Sequence, residues 1–356
     1  MMILFVHFLQ AQKFQVTTGG ANNKDEYWGT VYDTLSNRHV TIGNTFIPNT
    51  ATSSMTSQIW ISSYDQAGNK ISSKKVVSSK SMVARDISLA PSESSTSGTT
   101  YYVTGQTTAA SGKSQMFIGR IRIDGSFVWY KENPNAFDST ATGKEGISVV
   151  TAPNGDVVML GNSLEQNSGT LTNISYSSQL YLARFNSAGT LLWHKVFVGT
   201  GGSWIGRKIN LGTIISGFTA SASMPGEVVV TGELRSTNST TGSVGSRTFV
   251  SAYTGSGVEM WRKLYPTPGN VMVNTLFSQG DAGYDVVYNG LNGQYYVVGA
   301  VDMTSNIRGN VFNNPYVLQL SASGGIVNQA VYEGPGAAST SGYLGLYPRA
   351  ISLSNI

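Results

Sequence analysis

Apolar residues in this chain come in short runs set off by polar ones. In the clearest runs they alternate, a two-residue period that sends successive side chains to opposite faces of a β-strand. Five of the runs close on a glycine, at Gly43, Gly105, Gly161, Gly232 and Gly299. After each comes a second unit, an alternating strand, a glycine turn and another strand, seen most clearly over residues 181–193. Its turn glycines, Gly68, Gly125, Gly189, Gly257 and Gly324, stand 57, 64, 68 and 67 residues apart. Glycine is expected there because a hairpin turn needs positive φ.

Two further columns follow the same repeat. Before each turn stands an aromatic residue, Trp60, Phe117, Tyr181, Phe249 or Tyr316, and beyond it stands Ser72, Trp129, Trp193, Trp261 or Asn328. Large side chains at fixed places in repeated strands predict burial between neighbouring sheets, so these aromatics read as core and not as a ligand site. Ahead of each glycine-ending run lies one more strand, aligned on Trp28, Arg85, Glu145, Arg207 and Tyr284, with a sixth copy at Arg349.

Four short strands per repeat is the composition of a propeller blade. The expectation is one all-β domain over residues 1–356, a β-propeller of six blades of four antiparallel strands. Five complete blades occupy about 28–333, and a sixth is shared between residues 2–19 and 347–356. In that alignment Leu4 enters the aromatic column, and Phe14 to Thr18 match the strand after the hairpin. A last blade built from both ends would hide the edges of an open sheet. One strand of it is unaccounted for, so either that blade has three strands or the chain is part of a longer polypeptide. Residues 1–12 have a competing reading as a short signal peptide, although no positive segment leads it.

The pattern resembles the tandem β-propeller repeats of secreted and cell-surface proteins. Its carriers are Gly19, Gly20, Asn22, Asp25 and Glu26 in a lead-in, the glycine-ending strands and the tryptophan hairpins. The hairpin over 253–261 is also similar, more distantly, to the tryptophan-docking repeat of quinoproteins. The resemblance implies the architecture and an extracellular or surface setting; propellers host many unrelated activities.

Composition narrows the choice further. Charged residues make up 12% of the 356, with 41 glycines, as expected of many strands and turns. The net charge is +4, yet the longest basic run is the pair Lys74 and Lys75, which argues against nucleic acid as a partner. With no cysteine there is neither a disulfide framework nor a thiolate metal site. No apolar stretch is long enough to cross a bilayer as a helix.

Candidate chemistry is sparse. His7, His39 and His194 fall in strands without a partner at metal-ligand spacing, so no metal or cofactor is expected. Ser111 to Ser114 end like a phosphate loop, but Thr107 stands where that motif needs glycine. The constellation that remains is the first-strand column. In a propeller it would line the central channel as a ring of Trp28, Arg85, Glu145, Arg207, Tyr284 and Arg349. Guanidiniums and aromatics at one level could grip an anionic or sugar-like ligand. The competing reading is an ion-pair network plugging a solvated channel. Ser/Thr-rich tracts at 50–54, 92–97 and 236–241 read as loops, and Asn173 and Asn238 open N-glycosylation triplets. The expected role is a non-catalytic surface module for assembly or adhesion, with other surface proteins or copies of itself as partners. A glycan-binding or glycan-active propeller is the alternative, and a quinoprotein-like enzyme a third.

Overall fold

The computed structural model describes residues 24–48, 55–91, 98–108, 113–132, 143–166, 176–197, 202–212, 228–237, 244–265, 281–304 and 311–332. These residues form twenty strands in five four-stranded antiparallel sheets, each a simple meander. The first sheet is β1 (Lys24–Asp33), β2 (Arg38–Pro48), β3 (Met55–Tyr64) and β4 (Lys70–Lys75). The second is β5 (Met82–Leu89), β6 (Thr100–Thr108), β7 (Ser114–Arg122) and β8 (Phe127–Glu132). The third is β9 (Gly143–Thr151), β10 (Val157–Gln166), β11 (Tyr176–Phe185) and β12 (Leu191–Phe197). The fourth is β13 (Ser203–Leu211), β14 (Val228–Thr237), β15 (Val244–Tyr253) and β16 (Glu259–Leu264). The fifth is β17 (Ala282–Asn289), β18 (Gln294–Thr304), β19 (Val311–Leu320) and β20 (Ile326–Val331).

The sheets follow one another as blades do. First strands of consecutive sheets lie side by side, β1 with β5, β5 with β9, β9 with β13 and β13 with β17. Lys208 on β13 reaches Asp86 on β5 at 2.8 Å, skipping the third sheet altogether. Such a bond requires the first strands to converge on a common interior. Packing runs from the first sheet to the fifth, and among the described residues it does not return substantially from the fifth to the first. The sixth blade expected from residues 2–19 and 347–356 lies outside the described residues, as do the signal-peptide reading of 1–12, His7 and the Ser/Thr-rich tracts at 50–54 and 92–97.

The repeated columns have physical reasons. All five turn glycines adopt positive φ, from 74° at Gly324 to 87° at Gly68. In each hairpin the glycine N–H donates back three residues, as Gly189 does to the Asn186 carbonyl at 2.9 Å. The other glycines do not end their strands, as the sequence suggested, but lie within them, from Gly43 in β2 to Gly299 in β18. Each stands opposite the aromatic of its column, Gly43 with Trp60, Gly105 with Phe117, Gly161 with Tyr181, Gly232 with Phe249 and Gly299 with Tyr316. On their other side the first strand carries a bulge, and its carbonyl occupies the space of a side chain. An added Cβ would fall 2.9 Å from the Glu26 carbonyl oxygen at Gly43 and 3.0 Å from that of Glu145 at Gly161. It would come closer still to those of Val83, Ile205 and Ala282 at the other three.

The tryptophan column locks the second, third and fourth sheets each to the one that follows. Trp129 donates its indole N–H to the Ser187 carbonyl at 2.9 Å, Trp193 to Gly255 at 2.9 Å and Trp261 to Ala322 at 3.0 Å. Each indole lies against the turn glycine of the following sheet, where a Cβ would stand 2.7–2.9 Å from the ring. Two buried arginines strengthen the same joints. Arg120 and Trp129 share the Ser187 carbonyl, and Arg184 and Trp193 share that of Gly255. Ser72 takes the tryptophan place in the first sheet, and there the backbone serves instead, with Val77 N–H donating to the Gly125 carbonyl at 3.1 Å.

Candidate functional site

The interior where first strands meet is built from two consecutive positions. The bulge gives each first strand one extra residue: Trp28, Arg85, Ile147, Arg207 and Tyr284. Four of these are the residues read from the sequence. The third sheet differs, because Gly146 pairs with Gly161, so Glu145 stands two positions before the equivalent site.

Glu145 still joins the group. The Arg85 Nε donates to its carboxylate, and the Arg85 guanidinium lies 4.2 Å over the Trp28 ring. The Trp28 indole N–H donates to Glu26 at 3.1 Å. Around the other side, Arg207 pairs with Glu233 and lies 5.9 Å from the centre of the Tyr284 ring. Arg235 adds a second guanidinium to Glu233 at 2.9 Å. The structure thus brings the sequence-predicted residues into two clusters, Trp28 with Arg85 and Glu145, and Arg207 with Tyr284. Arg349, Asn173 and Asn238 lie outside the described residues.

The next position along each first strand carries Gly29, Asp86, Ser148, Lys208 and Asp285. Asp86 is 95% buried and accepts from the Ser148 hydroxyl at 2.6 Å, the Val149 N–H at 3.1 Å and the Lys208 ammonium. Burial works against the charge on Lys208. The opposed charges of Asp86 and Asp285 outweigh it and hold the ammonium above its ordinary pKa. These residues escaped the sequence reading although Asp86, Lys208 and Asp285 each follow a residue of the predicted ring. Three charges at one register position of the first strands were the available signal.

Chemically, the described interior sets Arg85, Arg207, Lys208 and Arg235 against Asp86, Glu145, Glu233 and Asp285, four cations facing four carboxylates. Among the described residues no group of three His, Asp or Glu side chains could hold a metal ion. His39 and His194 lie in strands beside the Tyr32 and Tyr181 rings. Ser114 opens β7, so a strand and not a phosphate-binding helix follows Lys113. Among the described residues no helix is long and apolar enough to cross a membrane.

No protein-family model matches the chain, and no curated protein matches its sequence. Among solved structures it is similar to a protein of unknown function from Dyadobacter fermentans, with 9% identity over 87% of this chain and 82% of the other and a TM-score of 0.47. It is also similar to a glycoside hydrolase, with 10% identity, 85% and 89% coverage and a TM-score of 0.38. A glycosyl hydrolase from Bacteroides ovatus shows 9% identity, 87% and 85% coverage and a TM-score of 0.34. At this distance none of them transfers an activity, and the architecture rests on the strand pairing above.

Proposed function

We propose that this protein is a non-catalytic β-propeller module, displayed outside the cell or on its surface, that works by assembly or adhesion. Its ring is closed by a sixth sheet drawn from both chain ends. The observation that carries this reading is the pairing of charges in the interior, where each of the four cations named above has a carboxylate partner. Pairs built on a buried carboxylate, as at Asp86 and Glu233, hold a geometry more than they stabilise it. The role they suit is a rigid frame that presents its periphery. Purified protein should self-associate or be retained on immobilised cell-surface material, and a protein that does neither refutes the proposal.

One observation favours a glycan-binding reading as second. Trp28 is 41% exposed beneath the Arg85 guanidinium, and the buried Nε of Arg207 has no acceptor. An exposed indole under a guanidinium is the kind of surface on which a sugar ring stacks. Under this reading Arg85→Ala or Arg207→Ala abolishes retention on a polysaccharide array while far-UV circular dichroism is unchanged. Retention that survives both substitutions removes it.

A further inference from the structure

The outermost strand of a blade presents an open row of backbone donors and acceptors, and proteins blunt such edges with charge, lysine above all. Four of the five outer strands here do so. β4 carries Lys70, Lys74 and Lys75; β8 carries Lys131 and Glu132; β12 carries Lys195; β16 carries Glu259, Arg262 and Lys263. β20 is the exception. It reads Ile326, Val327, Asn328, Gln329, Ala330 and Val331, with no charge at any position and its first five side chains exposed.

This edge is also self-complementary. When two copies meet antiparallel about a twofold axis perpendicular to the sheet, facing residues must share a side of the strand. Pairing about Gln329 then sets Val327 opposite Val331, Asn328 opposite Ala330, and Gln329 opposite its own copy. β-branched residues face each other and an amide can hydrogen-bond its twin. In β4 any such register brings lysines of the two copies close together.

We infer that β20 is a homodimerisation edge, joining the fifth sheets of two copies into one continuous eight-stranded sheet. The inference rests on the assembly reading above and names its partner, a second copy of this chain. Sedimentation velocity on the full chain across a concentration series tests it. Native protein should show a reversible monomer–dimer equilibrium. Gln329→Lys, and separately Gln329→Glu, should weaken it at least tenfold by setting like charges on the twofold axis, with far-UV circular dichroism unchanged. An equimolar mixture of the two variants should restore dimer, because lysine then faces glutamate. Native protein that stays monomeric, or a dimer indifferent to both substitutions, overturns the inference. Val327→Lys serves as a second probe of the same edge. A monomer that is still retained on cell-surface material refutes the edge alone and leaves the adhesion reading standing.

Discussion

Glycine opposite an aromatic, beside a bulge, is the smallest unit that this fold repeats. Gly105 shows the constraint at its tightest, since a Cβ there would meet the Val83 carbonyl and, at 2.9 Å, the Ala84 Cα. Backbone cannot swing aside as a long side chain can, so Gly105→Ala should cost about 2–3 kcal/mol, the upper part of the range for overpacking. Urea unfolding measures it, and an unchanged midpoint would contradict the bulge geometry. Asp33 makes a different residue-scale link. It is fully buried and accepts from the Tyr101 hydroxyl of the second sheet at 3.0 Å, and also from Ser36. Burial raises its pKa, but the hydrogen bonds from Ser36 and Tyr101 prevail and hold the carboxyl below its ordinary 3.8. A depressed folded pKa contributes stability that is present above the unfolded value and lost as pH falls through the folded one. Asp33→Asn should therefore be less stable than native protein at pH 7, with the gap closing below about pH 4. Urea midpoints at the two pH values check this.

At the scale of elements, two of the joints between sheets use side chains that imitate backbone. Asn162 donates to the Gly206 carbonyl at 3.0 Å and accepts from the Gly206 N–H at 2.9 Å, and Asn44 bonds Ala84 in the same two ways. Asn162→Ala strands both groups of Gly206 and should cost about 1–3 kcal/mol. Trp193→Ala, which empties the space against Gly257 and removes the bond to Gly255, should cost about 2–4 kcal/mol. Trp193→Phe, losing chiefly the N–H, should cost about 1 kcal/mol. Equal losses for the two would mean that packing contributes nothing at this joint. The glycine, aromatic and tryptophan columns were legible in the sequence because each recurs at fixed spacing. Their pairing was not, since facing residues such as Gly161 and Tyr181 lie 20 positions apart on different strands. The offset at Glu145 has a related cause. A two-residue slip keeps every side chain on its own face, so alternation alone cannot detect it. Arg235 and Glu233 lie on a second strand, where alternation alone does not mark a residue as facing the interior.

On the scale of the whole molecule, five sheets share an interior whose described charges answer one another, and their outer strands face solvent. Lys208 spans that interior to Asp86, so the frame resists opening from within as well as at its joints. The chain has no cysteine, which allows spin labels to be placed at will. Closure of the ring by both ends is the claim on which the account depends, and distance measurement by electron paramagnetic resonance tests it directly. If both ends share one sheet as proposed, cysteines introduced at Val6 and Ile351 fall on strands one or two places apart, about 5–10 Å between backbones and about 10–20 Å between labels. A narrow distribution in that range is the predicted result. A broad one centred beyond about 40 Å, the scale of opposite sides of a domain this size, would contradict it.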